Sequence, residues 1–251
     1  MMSNETAVII PARYNSSRLP GKPLIRIAGK PLIQWVFDRA RRISGAAEVL
    51  IVTDDLRIAE AARSFHARVM MSPIDIQSGS ERVGYAARNM EANIIVNLQG
   101  DEPFVPVDAL EKAIDLLKDT PQLNISTIAC PLRSEDEWRN PSIVKVLVDK
   151  DMNAIYFSRA TIPSFRDEPF RPLPRLLKHI GAYIFRKDFL LQFLAWEQGS
   201  LEKAEKLEQL RILENGYKIG VIESEKSSFG VDTPEDVAYI EKFLKERGSN
   251  L

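Results

Sequence analysis

The fold is decided by Ala7-Val8-Ile9-Ile10-Pro11-Ala12-Arg13 and the residues up to Arg42: a short β-branched run, a polar loop to Pro23, then an amphipathic stretch from Leu32 to Arg42. The same alternation continues through Glu48–Thr53, Leu56–Phe65, Arg68–Met71, Ser80–Met90 and Ile94–Leu98. Strand runs separated by helical periods predict repeated strand-helix units around a mostly parallel sheet flanked by helices, an α/β fold. Ligands of such sheets bind beyond the carboxyl ends of the strands. The loops placed to carry chemistry are therefore Pro11-Ala12-Arg13, Thr53-Asp54-Asp55 and Gln99-Gly100-Asp101.

Beyond about Asn124 the pattern changes to longer strand-like segments, Ile125–Leu132, Ile143–Val148, Ala154–Phe157 and His179–Phe185. Pro141, Pro163, Pro169, Pro172 and Pro174 argue against helices in their connections. This region, about 124–185, is expected to extend the sheet and to form a smaller lobe or dimer surface within one domain spanning 1–251. Helices are expected over Lys187–Ala195 and Leu201–Asn215, then a segment Tyr217–Glu223 and a last helix from near Pro234.

The chain has 251 residues, 45% of them hydrophobic, enough for a large core. Lys plus Arg (34) nearly balances Asp plus Glu (35), so the broad basic field of a nucleic-acid binder is missing. Cys130 is the only cysteine, which excludes an internal disulfide and suits a reducing cytoplasm. The N-terminal apolar run Ala7–Pro11 is too short for a signal segment or membrane span, so a soluble, unprocessed protein is expected. Arg39, Arg41 and Arg42 end a helix, where cations complement its dipole, His66 reads as a surface residue at a helix end, and Trp35 and Phe37 read as core.

Arg13, Arg18 and Lys22 place three cations within ten positions of an otherwise balanced chain. Guanidinium forks bind phosphate oxygens bidentately and an ammonium acts as a point charge, so the loop suits a triphosphate: Arg13 and Arg18 for β and γ, Lys22 for α. On charge spacing alone, an exposed basic loop paired with surface carboxylates serves equally. Neither G-x-x-x-x-G-K-[ST] nor G-x-G-x-x-G occurs. Two acids come after strand-like runs: Asp101 in Gln99-Gly100-Asp101-Glu102-Pro103, and Asp232 before Thr233-Pro234-Glu235-Asp236, a cap sequence that leaves its side chain free. Two such carboxylates could hold magnesium against substrate phosphates, or each could only order its own loop. Asp54 and Asp55 read as caps of the next helix.

Taken together and in order, Pro-Ala-Arg-x-x-Ser-x-Arg-x-Pro-Gly-Lys-Pro (11–23), Gln-Ser-Gly-Ser-Glu-Arg (77–82), Asn-Leu-Gln-Gly-Asp-Glu-Pro (97–103) and Val-Asp-Thr-Pro-Glu-Asp (231–236) resemble the 3-deoxy-manno-octulosonate cytidylyltransferase family. Segments 156–163, 178–183 and 207–211 resemble it too. The resemblance implies a nucleotide-diphospho-sugar transferase fold and CMP transfer from CTP to Kdo, an acidic eight-carbon sugar, for lipopolysaccharide biosynthesis. It also implies magnesium and a cytoplasmic homodimer, without nucleic acid or membrane as partner. It supports catalytic Lys22, Asp101 and Asp232, with the two aspartates as metal ligands. Arg13, Arg18, Lys22, Gln77, Ser80 and Arg82 would meet the nucleotide, and Arg159, His179, Tyr183, Glu208 and Gln209 the sugar.

Three positions depart from the family pattern: Ile76 where histidine is frequent, Ser80 for threonine, and Ala182 for a larger apolar residue. Ser80 keeps the hydroxyl. The other two leave 8-amino-Kdo or another acidic sugar open as acceptor. A non-catalytic nucleotide-sugar binding module is the rival outside enzymes. A glycosyltransferase is a third reading; it would usually show an Asp-x-Asp metal motif, and none is expected at a strand end of this chain.

Overall fold

The structure is a computed structural model that describes residues 5–15 and 19–247; Arg18 lies outside the described residues. The chain forms two compact units, one built from residues up to Asp108 and from Ser228 on, the other from Ala109–Ser227.

In the first unit β1 (Thr6–Ala12) is buried along its whole length. A turn of 3-10 helix at Lys22–Leu24 leads to β2 (Arg26–Ile27) and β3 (Lys30–Pro31), a small antiparallel ribbon. Then come α1 (Leu32–Ala40), β4 (Ala46–Thr53), α2 (Leu56–Ser64), β5 (Arg68–Met71), α3 (Gly79–Ala87) and β6 (Ile94–Leu98). β1 pairs in parallel with both β4 and β6, and β4 with β5. Central parallel strands are covered on both faces, which is why Val8–Ile10 and Ile94–Val96 are unbroken apolar runs. α1 buries Ile33, Val36, Phe37 and Ala40, the i, i+3, i+4, i+7 positions of one stripe. Trp35 lies in the core with Phe104, Val231 and Ile240, its indole N–H donating to the Ile27 carbonyl at 2.9 Å.

Caps behave largely as the sequence requires. The Asp55 carboxylate accepts from Arg57 N at 2.9 Å and starts α2. Asp54 is different: expected as a cap, it receives the Arg82 guanidinium at 3.0 Å, because the buried arginine needs an anion. Ser78 and Glu81 close a capping box on α3.

α4 (Val107–Asp119), which no expectation covered, leads into the second unit and buries Leu110, Ala113, Ile114 and Leu117. Beyond it lie β7 (Ile125–Pro131), α5 (Glu135–Arg139), β8 (Lys145–Val148), β9 (Ala154–Ser158), β10 (Leu176–Arg186), α6 (Lys187–Leu194), α7 (Ser200–Glu205), α8 (Gln209–Glu214) and β11 (Gly220–Glu223). β10 runs antiparallel to β7 and β8, β9 antiparallel to β8, and β11 parallel to β7. Asp149-Lys150-Asp151, at the end of β8, does have the Asp-x-Asp spacing. The Asp149 carboxylate is nonetheless consumed by its own turn, accepting from Asp151 N and Asn153 N at 2.9 and 2.8 Å.

The single helix expected over Leu201–Asn215 is two. Lys206 takes a left-handed conformation (φ 55°) and ends α7, its N–H returning to Glu202 O at 2.8 Å. The halves are tied by a buried ion pair: Arg211 Nε and Nη2 each meet a Glu202 carboxylate oxygen at 2.6 Å. From α8, Glu214 reaches back to accept from Ser200 Oγ and Leu201 N, capping α7. A Cβ at Gly199 would displace the Glu214 carboxylate from this position. Past the second unit, α9 (Pro234–Arg247) completes the first.

Arg211→Met would leave Glu202 charged, enclosed and unpaired, so the urea midpoint should drop by the equivalent of roughly 3–5 kcal/mol. An unchanged midpoint in equilibrium denaturation would show that the pair carries no stability.

Candidate active site

In the first unit the ends of β1 and β6 border a cavity of about 290 Å³ lined by Ala12, Arg13, Lys22, Gln99, Asp101 and Asp232, among others. Its centre is Lys22. Gly21 precedes it at φ 69°, packed so that a Cβ would press on the Tyr14 ring at 3.2 Å, and this turn directs the lysine inward. Lys22 Nζ donates to Asp101 Oδ2 at 2.5 Å and to Asp232 Oδ1 at 3.1 Å. Burial alone would lower the ammonium's pKa, but the two carboxylates outweigh it and raise the value above that of ordinary lysine. Asp232 is thus not free, as its cap sequence had suggested: an adjacent cation holds it.

The acid-bearing loops are fixed to each other by backbone. Val231 N donates to Asp101 O at 3.0 Å, and the Glu102 carboxylate accepts from Ser228 Oγ. Gly100 passes so near β1 that a Cβ would lie 3.0 Å from the Pro11 carbonyl. On the other side, Asp236 accepts from Asp232 N and Thr233 N at 2.9 and 2.8 Å while its own N–H reaches Thr233 Oγ1, the expected capping box. Two carboxylates that converge on one ammonium can converge equally on one hard divalent ion. No group of three or more His, Cys, Asp or Glu arranged for a metal occurs among the described residues. Magnesium held by such a pair would complete its shell with water and phosphate oxygens.

The other nucleotide candidates are distributed unequally. Arg13 is exposed and donates to the Gln77 carbonyl, joining the first loop to the segment before α3. Gln77 N and Ser78 N both donate to Glu81 at 3.0 Å. Ser80 is buried, its hydroxyl accepting from Asn97 Nδ2 at 3.3 Å; Asn97 in turn accepts from Gln99 Nε2 at 3.0 Å. Arg82 is wholly enclosed: its guanidinium donates to Asp54, to Ser72 Oγ and to the Ile76 carbonyl. It pins the Ser72–Ile76 stretch from within the protein.

The sugar candidates all lie in the second unit. Arg159 is half-buried and governed by Glu205, which the sequence did not mark. That carboxylate accepts from Ser158 Oγ at 2.5 Å and Arg159 N at 2.9 Å, while Arg159 Nε donates to the Glu205 carbonyl at 3.1 Å. Lys145, fully buried, holds three carbonyls with its ammonium: Asn140 at 2.9 Å and Ile143 and Arg159 at 2.7 Å each. The His179 ring lies between Phe157 and Tyr183, at 5.1 and 5.2 Å between centroids. Burial drives the pKa of His179 down to about 3, so the ring is neutral. Burial, then the Glu208 carboxylate, raise the Tyr183 pKa, while Arg159 acts to lower it. Gln209 is buried at the start of α8, and its Nε2 has no hydrogen-bond partner.

The chain matches a family model described as cytidylyltransferase over residues 7–219. It is 44% identical over 243 residues to the 3-deoxy-manno-octulosonate cytidylyltransferase of Syntrophotalea carbinolica, covering 94% of this chain and 97% of that protein. It is 43% identical over 238 residues to the enzyme of that name from Acinetobacter baumannii, covering 92% and 94%. A solved structure of CMP:2-keto-3-deoxy-manno-octonic acid synthetase complexed with CTP superposes with a TM-score of 0.90 at 38% identity, over 97% of this chain and 99% of the other. The fold extends to 4-diphosphocytidyl-2C-methyl-D-erythritol synthase from Anaerococcus prevotii, with a TM-score of 0.65 at 15% identity over 96% and 98%.

His179 also predicts a pH dependence. Its folded pKa of about 3 lies below the 6.5 of an exposed histidine, so its contribution to stability is complete above pH 6.5 and is lost as pH falls toward 3. Comparing urea midpoints at pH 7 and pH 5 should show a smaller acid loss in His179→Gln than in the parent. An equal loss in both would place the acid sensitivity elsewhere.

Proposed function

Because the chain belongs to the cytidylyltransferase family, we propose that it transfers CMP from CTP to the anomeric hydroxyl of Kdo, giving CMP-Kdo and pyrophosphate for lipopolysaccharide biosynthesis. The observation that carries the chemistry is the meeting of Lys22, Asp101 and Asp232 at the carboxyl ends of parallel strands.

In this reading Asp101 and Asp232 hold magnesium, whose chemistry when bound is to acidify the attacking hydroxyl and neutralise charge on the α-phosphate. Lys22 is the cation beside the transferred group and offsets charge as it shifts to the leaving pyrophosphate. Arg13 and Arg18 bind the β and γ phosphates through their guanidinium forks. Gln77 and Ser80 flank the nucleotide, and Arg82 acts indirectly by holding the Ser72–Ile76 stretch. The sugar carboxylate goes to Arg159, which Glu205 and Lys145 orient through its backbone and Nε. His179, Tyr183, Glu208 and Gln209 offer neutral and anionic partners to hydroxyls. No side-chain general base is required. Resemblance to the family supports a cytoplasmic homodimer. Among the described residues no helix is long and apolar enough to cross a membrane. One observation favours a second acceptor, the 8-amino form of Kdo: Ile76 and Ala182 depart from the family pattern, and Ala182 lies between His179 and Tyr183.

Pyrophosphate release should require CTP, Kdo and magnesium together, with UTP and ATP much poorer. Faster turnover of the 8-amino sugar would reassign the acceptor, and CTP binding without release on any acidic sugar would overturn the catalytic reading. Asp232→Asn should lower kcat by several orders of magnitude while the thermal midpoint stays close to that of the parent. Near-normal turnover would remove Asp232 from the metal site.

A further inference from the structure

β7 and β10 pair antiparallel with His179 opposite Ala129 and Ile180 opposite Ile128, yet the next pair is Tyr183 with Thr127. Gly181 and Ala182 are extra residues on β10, a bulge that displaces them from the ladder. The Ala182 carbonyl there meets Thr127 Oγ1 at 2.6 Å, and the same oxygen lies 2.9 Å from His179 Nε2. Thr127 is fully buried.

A threonine hydroxyl has one hydrogen, and a carbonyl can only accept. The hydrogen of Thr127 is therefore committed to Ala182, and toward His179 its oxygen acts as acceptor. The ring must supply the proton of that second bond. We propose that Thr127 fixes His179 as the Nε2–H tautomer and so presents Nδ1 as an unprotonated acceptor for a hydroxyl of the sugar acid.

The sugar part rests on the reading that the second unit holds the acceptor; the tautomer part does not. Nδ1 hydrogen-bonds to no described residue. Burial keeps the ring neutral, so one nitrogen carries a proton and the other a lone pair. Packing of the ring against Phe157 and Tyr183 opposes its reorientation. The lone pair would repel a carboxylate and accept from a hydroxyl, which separates the role of His179 from that of Arg159. Thr127 is then a positioning residue, acting on substrate through the histidine.

The chain has two histidines, so ¹⁵N-histidine labelling gives a spectrum that His179→Gln assigns by subtraction. In the free protein, long-range ¹H–¹⁵N correlation should show a protonated Nε2 and a pyridine-type Nδ1 for His179. A protonated Nδ1 would overturn the proposal without recourse to any variant. Saturating Kdo should shift the Nδ1 resonance toward that of a hydrogen-bonded acceptor; an indifferent resonance would overturn the recognition part and leave the tautomer standing. In Thr127→Val both tautomers should appear, and kcat/KM for Kdo should fall roughly tenfold with KM for CTP within about twofold. Thr127→Ser should restore both signals. An unaltered spectrum and rate in Thr127→Val would refute the positioning role, and since the tautomer is read without sugar or turnover, its failure is distinct from failure of the proposed reaction.

Discussion

Like charges repel strongly at short range, so the loops ending in Asp101 and Asp232 can share a site only if positive charge lies between them. The Lys22 ammonium supplies it. Much of the first unit can be understood as support for that contact. Gly21 bends the chain so the lysine enters, Gly100 lets the strand-end loop approach β1, and the Val231–Asp101 hydrogen bond fixes the spacing of the acids. The cluster of Trp35, Phe104, Val231 and Ile240 gives those loops an immobile base. The same requirement for positive charge is one that the proposed magnesium would also meet.

The second unit obeys another rule. Its chemistry-bearing side chains are held mainly by backbone and buried neighbours: Arg159 by Glu205, the chain around it by Lys145, His179 by Thr127, α8 by the Glu202–Arg211 pair. Such a scaffold orders directional hydrogen bonds, which is what discrimination among hydroxyls needs. In the proposed function, the first unit concentrates charge for phosphates. The second arranges donors and acceptors.

The legible parts of the sequence were those with local causes. β1, β4 and β6 declared themselves because strands covered on both faces need continuous apolar runs, and the Asp55 and Thr233–Asp236 caps are written within a few residues. α4 was obscured at its start by Pro103-Phe104-Val105-Pro106, though its apolar spacing is helical. The break at Lys206 had no signal, since glycine usually takes the left-handed position and a lysine does so only under tertiary constraint. Arg13, Lys22, Asp101 and Asp232 could be picked out as a set by type and position, but not the ion pairing that joins three of them. Glu205, Lys145 and Thr127 were invisible because no local motif marks their partners: Ser158 and Arg159 for Glu205, three backbone carbonyls for Lys145, and for Thr127 the Ala182 carbonyl in a bulge and the His179 ring. Arg82 stands in the nucleotide motif yet faces inward, a distinction that only burial reveals.

The first unit is written in two pieces, with residues 109–227 between them. A ribosome delivers Lys22 and Asp101 early and Asp232 only after that whole intervening length has been made. Until then the nascent chain has one carboxylate for its lysine and cannot assemble the trio. Any product of premature termination within the intervening segment therefore lacks half of the proposed ion-binding pair, which ties chemical competence to the completion of synthesis.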